Sequence, residues 1–150
     1  MAAPAPLTEA AIARLEATVP ELAGRVRRAA DLSTLMSANA MPQAGASAFV
    51  LPGGIEGGPQ TNATGAHLQV VTRGLVVVLA FRAGDPTANA VVDQAEVLIA
   101  AVAGALAGWV PPGTMHDPCS FRRARLASAA RGTFVYEIEF AARDQLRTIG

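Results

Sequence analysis

The most informative segment of this sequence reads Gln69-Val-Val-Thr-Arg-Gly-Leu-Val-Val-Val-Leu-Ala-Phe-Arg82. Every residue from Leu75 to Phe81 is apolar, so a strand over this run would present two apolar faces. Strands without a polar face usually lie in the centre of a sheet, with other elements packed on both sides. Gly74 interrupts the pattern and predicts a bulge or a bend at that point.

A long helical pattern follows after a short turn and extends from Ala88 to Trp109. Its apolar residues recur at spacings of three and four, which is typical of a helix with one buried stripe. The stripe comprises Val91, Ala95, Leu98, Val102, Ala105, Leu106 and Trp109. Asp93 and Glu96 lie near the helix start, where carboxylates suit the helix dipole. The remaining faces are mostly Ala and Gly, so we expect contacts both with the sheet and with another subunit.

Size and composition predict one domain over residues 1–150, with residues 1–6 as a frayed tail. The formal net charge is zero, which argues against a protein that wraps nucleic acid. A single cysteine, Cys119, excludes an internal disulfide and fits a reducing compartment. The N-terminus lacks the pattern of a signal peptide, and the polar residues near the start of the long helix argue against a membrane span.

The segment Pro52–Ala66 contains five glycines and two prolines and shows no periodicity. Long segments of this kind are uncommon inside compact domains and are often functional. A phosphate-binding loop is excluded because its lysine is absent from the whole chain. A dinucleotide fingerprint requires glycines between a strand and a helix, whereas this segment joins two strands. We therefore expect a flexible arm that becomes ordered against a neighbouring molecule.

The C-terminal region predicts a β-hairpin, with strands near 121–127 and 133–142. In the second strand, large apolar side chains alternate with Val135, Glu137 and Glu139, which would point to the opposite face. In this register Arg123 and Arg125 share a face with the two glutamates, which predicts cross-strand ion pairs. A second basic cluster, Arg25, Arg27 and Arg28, fits either a solvated edge or a contact with another subunit or with a central channel.

The sequence contains no recognisable catalytic or metal-binding motif. His116, Asp117 and Cys119 share one loop, and His67 lies elsewhere, but a metal site would require more ligands at regular spacing. A nucleophilic pair of Cys119 and His116 lacks an evident orienting partner. We therefore expect no enzyme, no catalytic residues, no cofactor and no metal.

Taken in order, the elements resemble those of the tail terminator proteins of long-tailed bacteriophages and prophages. The resemblance rests mainly on Phe49-Val-Leu-Pro52, on Leu106-Ala-Gly-Trp109, and on Phe140 followed by Asp144-Gln145. It implies an α+β fold, with a mixed and mainly antiparallel sheet flanked by helices, one long central helix and a C-terminal β-hairpin. It also implies a homohexameric ring that caps the tail tube, ends its elongation and joins the tail to the head or neck.

The partners implied by this resemblance are other copies of the chain, the tail tube protein and a neck or head-completion protein. Genome DNA would pass through the ring without sequence-specific binding, and no membrane is involved. The protein would lie at the tail–neck junction of the virion after assembly in the cytoplasm of a bacterial host. The hypothesised interface comprises Arg25, Arg27, Arg28, Gly53, Gly54, Ile55, Glu56, Gly57, Gly58, Asn62, Arg123, Arg125, Glu137 and Glu139.

Two alternative functions remain open from the sequence. One is another head–tail connector or neck protein, which differs from a terminator only in its contacts. The other is a small α+β ligand-binding domain that would use the glycine-rich segment as a loop over the sheet.

Overall fold

The structure, a computed structural model, describes residues 7–28, 45–63, 65–82, 88–112, 117–130 and 133–149. Two α-helices, one short 3-10 helix and five strands lie within these ranges. In chain order they are α1 (Leu7–Thr18), the 3-10 helix (Pro20–Leu22), β1 (Val26–Arg28), β2 (Gly45–Ala63), β3 (Ala66–Arg82), α2 (Ala88–Leu106), β4 (Ser120–Ala130) and β5 (Thr133–Ile149).

The described strands form one five-stranded sheet in the order β1-β2-β3-β5-β4. β1 pairs with β2 in parallel, and the other three pairs are antiparallel. β3 therefore occupies the centre of the sheet, as its two apolar faces predict. The predicted irregularity at Gly74 lies on the neighbouring strand, because the register between β2 and β3 shifts between Pro52 and Gly54.

Both described α-helices pack on the same face of the sheet, which we call the helix face. Alternate residues of the strands meet buried residues of α1 and α2 there in one apolar cluster. Leu79 and Leu15 are fully buried in it, and so are Leu106 and Val102. The predicted stripe of α2 is confirmed at Ala95, Leu98, Val102, Ala105 and Leu106, which are all buried.

The opposite face of the sheet, which we call the outer face, carries a smaller apolar cluster. Phe49, Val78 and Ala80 are buried there and contact partly buried neighbours, including Val76 and Val135. Together the two clusters confirm that both faces of residues 75–81 are packed.

The long strands divide the sheet into two halves. In the proximal half, β1, β4 and both helices accompany the middle strands. The second half consists of residues 52–63, 66–74 and 142–149, and we call it the distal extension. β4 begins at the boundary with this extension and runs away from it, because its first residue, Ser120, pairs with Ala141. β5 continues alongside β3 as far as the pair Ala66–Ile149.

The predicted fold class is wrong in its balance between helix and sheet. Strands make up 58% of the described residues, and the described α-helices have only 12 and 19 residues. The sheet is therefore not flanked by helices around one long central helix; β3 is the central element and α2 lies on one face. The error arises because residues 52–63, predicted to be a flexible arm without regular structure, form a paired strand.

The glycine-rich segment is thus not an irregular loop in this structure. Residues 52–63 form the second half of β2, and the chain returns through Gly65, which has a φ of 75°. Among the described strands, β1 pairs only with residues 48–50 of β2, so this part of β2 is an edge of the described sheet on which Pro52 and Pro59 are tolerated. Backbone pairing with β3 holds this segment as a strand, although its sequence has no apolar periodicity. Its flexibility stays a prediction, and residues 1–6 lie outside the described ranges.

Candidate interaction surfaces

The β2–β3 boundary between the two halves is built on close contact between two glycines. A Cβ atom on Gly53 would lie 3.0 Å from the backbone carbon of Gly74, and a Cβ on Gly74 would lie equally close to Gly53. Gly54 next to them has a φ of 105°, a conformation that side chains rarely permit. These glycines therefore allow β2 to bulge and bend directly against β3.

Beside this bulge lies an open groove of about 580 Å³. Its rim is polar, and it connects the glycine-rich part of β2 with the charged residues of β4 and β5. The lining residues are Gly53, Gly54, Ile55, Glu56, Thr72, Gly74, Leu75, Val76, Arg122, Arg123, Glu139, Phe140 and Ala141. Six of these belong to the predicted interface, although their meeting in one groove is not predicted: Gly53, Gly54, Ile55, Glu56, Arg123 and Glu139.

The predicted cross-strand ion pairs of β4 and β5 are confirmed. Arg125 donates to Glu137 with an Nη2–Oε2 distance of 2.9 Å, and the Arg123 guanidinium donates to Glu139. The hydrogen bond from Arg123 holds the pKa of Glu139 below its ordinary value and raises the pKa of the guanidinium. All four residues lie on the outer face, where ion pairs exposed to water fix register and surface pattern more than stability.

The other arginine cluster, Arg25, Arg27 and Arg28, begins just before β1, and its side chains make different contacts. Arg28 points to the helix face and pairs with Glu9 of α1. Arg25 donates from Nη1 to the Ala46 carbonyl at 3.3 Å, and Arg27 is exposed beside Phe49. Because β1 and β4 are the two edges of the sheet, the two arginine clusters lie on opposite sides of the molecule.

The remaining predicted interface residues, Gly57, Gly58 and Asn62, lie in the β2 strand of the distal extension. Gln69 on β3 donates from Nε2 to the Gly58 carbonyl at 3.1 Å. This bond bridges the second register shift of the strand pair, between Gly57 and Gln60. The backbone of Asn62 pairs opposite His67.

β5 continues past the predicted end of its strand near residue 142 and adds a strand to this extension. Asp144 is 9% exposed and lies 3.8 Å from the Nε atom of Arg73, while Leu146 is 49% exposed. Leu146 and Ile55, which is 64% exposed, place large apolar side chains on the helix face beyond the two helices.

The loop before β4 provides no catalytic arrangement among its described residues. Cys119 is buried against Ala142, Leu7 and Trp109, and desolvation by burial raises its pKa to about 11. Asp117 pairs with Arg143 at 3.2 Å, and His116 lies outside the described residues. Within the described part of the chain, no three potential ligands gather in a metal-binding group. None of its helices combines the length and hydropathy required to span a bilayer.

Comparison with known proteins identifies the family. The family model for phage tail terminator proteins matches residues 1–149, so the chain belongs to that family, as the resemblance predicts. No curated protein matches the chain. Among solved structures, a chain from the virion of a native gene transfer agent particle is 18% identical. It has a TM-score of 0.61 and covers 93% of this chain and 95% of its own, a likeness that establishes the fold.

Family membership defines the class of protein to which this chain belongs. It is a structural protein of a phage-type tail, and its place is in the virion.

Proposed function

We propose that copies of this chain form a ring, a hexamer in the family pattern, that caps the tail tube, ends its elongation and joins the tail to the head or neck. One observation carries the proposal beyond family membership: the distal extension has no helix over it in the described part of the chain. Ile55 and Leu146 are 64% and 49% exposed on it. Both side chains lie on the helix face, and exposed apolar surface is typical of interfaces.

The extension is the principal contact in this proposal, and the two charged edges are secondary. A closed ring requires heterologous contacts, in which one surface meets a different surface of the next copy. The edge that carries Arg25 and Arg27 and the edge that carries Arg123 and Arg125 are such a pair of unlike surfaces. The tube and neck partners bind the two open sides of the ring, and DNA passes through its centre without sequence-specific contacts.

The protein acts in this proposal through surfaces rather than chemistry, so it is not an enzyme. The buried, weakly acidic thiol of Cys119 supports this because the thiolate is the reactive form of cysteine. The open groove beside Gly53 provides the one specific observation for a ligand-binding function, and its shape fits a segment of protein better than an enclosed small molecule.

The proposal is tested by light scattering after size-exclusion chromatography, followed by negative-stain imaging of the protein alone and mixed with its cognate tail tubes. Rings with a central hole, or tubes with capped ends, are the expected result. A protein that stays monomeric and leaves tubes uncapped would contradict the proposal.

An Ile55→Asp variant and a deletion of residues 57–64 then test the extension. Both should abolish rings or capping while the far-UV circular dichroism of the proximal half persists. Val110→Asp is the matched control, because Val110 is also exposed, at 49%, but lies outside the extension.

A further inference from the structure

The helix face of the distal extension carries a guanidinium that lacks a hydrogen-bonded carboxylate. Arg73 lies directly opposite Ile55 in the β2–β3 register. Its Nε atom is buried and has no hydrogen-bond partner among the described residues. Oxygen Oδ2 of Asp144 is 3.8 Å away, beyond hydrogen-bond distance, while Oδ1 accepts from the Gln145 amide at 2.8 Å. Guanidinium groups bind carboxylates through a planar fork of N–H donors, and among the described residues Arg73 has only this loose ion pair, with its Nε–H donor unsatisfied.

Helix α2 carries a complementary surface on the side that faces away from the sheet. Asp93, Glu96, Val97, Ala100 and Gly104 are all exposed, and their spacings of three, one, three and four place them on one side of the helix. We call this set the outer stripe. Its two carboxylates form no ion pair with the described residues. Val97 is 68% exposed, and no charged residue occurs between it and Val110.

We infer that the outer stripe of α2 from one copy packs against the helix face of the distal extension of the next copy. This inference rests on the proposed ring and names the two surfaces that close it. Glu96 and Asp93 supply the hydrogen-bonding carboxylate that the loose pair with Asp144 does not give Arg73, and the apolar part of the outer stripe covers Ile55 and Leu146. The neighbour's helix thus covers the part of the sheet that the described helices of the chain leave open.

The two surfaces agree in length. The outer stripe from Asp93 to Gly104 is about 16 Å long at 1.5 Å per residue. Arg73 and Leu146 are separated by four residues along the sheet and one strand across it, about 14 Å. Because the surfaces differ and both belong to every copy, the contact is heterologous and can repeat around a ring.

A charge exchange tests the ionic part of this contact. Arg73→Glu alone and Glu96→Arg alone should each weaken self-association by about tenfold or more, because each leaves like charges in contact. The double variant should recover association to within a few-fold of the wild type. Arg147→Glu and Glu16→Arg are matched controls, because both side chains are exposed and lie outside the proposed contact. Single variants that assemble like the wild type, or a double variant without recovery, would overturn the inference.

Gly104→Gln tests the same contact without changing charge. A Cβ atom on Gly104 would meet nothing within 4 Å among the described residues, so the described fold of the monomer tolerates the larger side chain. Association should nevertheless fall by at least about tenfold, because the added side chain would separate the two surfaces. Ala17→Gln on the exposed side of α1 is the control.

Wild-type behaviour separates the failure of this inference from the failure of the proposed function. Rings or capped tubes that survive both Gly104→Gln and Arg73→Glu would overturn the contact and leave the proposed function intact. A wild type that forms neither rings nor capped tubes would overturn both.

Discussion

The two halves of β3 have similar side chains and opposite environments. In the proximal half, Leu75, Val77 and Leu79 are at most 1% exposed. In the distal extension, Val71 on the same face of the sheet is partly exposed. What differs is the cover, because the described helices pack only on the proximal half. Apolar composition allows a strand to be buried, and the rest of the fold decides whether other elements of the chain cover it.

The largest expected effect contrasts one leucine from each half. Leu79→Ala should lower the free energy of unfolding by about 2–5 kcal/mol, because it creates a cavity in the buried cluster of the helix face. Leu146→Ala, at an exposed position of the extension, should lower it by about 0.5 kcal/mol or less in the monomer. Urea unfolding measures both values under conditions in which the protein is monomeric. Equal losses would show that the two halves are packed alike.

The junction between the halves can be followed through Cys119. Burial raises the pKa of its thiol from 9.0 to about 11, so at pH 8 the thiolate is roughly a hundredfold less populated than in an exposed cysteine. Alkylation by iodoacetamide should be slower by about the same factor in the native protein than in the urea-unfolded protein. Rapid native alkylation would mean that the contact of Cys119 with Ala142 opens.

Close contact at the boundary predicts a smaller loss. Gly74→Ala should cost about 1–3 kcal/mol in unfolding free energy, because its Cβ would lie 3.0 Å from the Gly53 backbone and force β2 and β3 apart. Gly104→Ala is the matched control, and it should stabilise the monomer by up to about 1 kcal/mol because the helix gains a better former without a clash. Thermal or urea unfolding compares the two. An unchanged free energy of unfolding in Gly74→Ala would show that this bulge does not require glycine.

The smallest effect concerns the ion pairs on the outer face of the proximal half. Because Arg123 lowers the pKa of Glu139 below its ordinary value of 4.5, the pair stabilises the folded state above that pH. This contribution is lost as the pH falls through the lower, folded-state pKa. Arg123→Gln should move the pKa of Glu139 upwards toward 4.5, as measured by NMR titration of the carboxyl carbon. Arg122→Gln, with the weakest influence on Glu139, should leave it nearly unchanged.

Much of the proximal half was predictable from local patterns. The alternation around Leu75–Phe81 and the spacing from Ala95 to Leu106 depend only on strand and helix periodicity, which survives in any context. The cross-strand pairing of Arg123 and Arg125 followed from a hairpin register that a short connection restricts. The β2 strand of the distal extension was not predictable in this way. It is stabilised mainly by backbone pairing, for which glycine and proline give no side-chain signal.

The sequence by itself determined the central strand, the buried stripe of α2, the outer-face ion pairs and the family of tail terminators. Each of these follows from residue type and from the spacing and order of residues along the chain. Only the tertiary structure decided that Gly53 meets Gly74, that Arg73 lies opposite Ile55, and that residues 52–63 and 142–149 lengthen one sheet beyond its helices. These contacts join segments that are far apart in sequence. They depend on strand register, which local patterns do not specify.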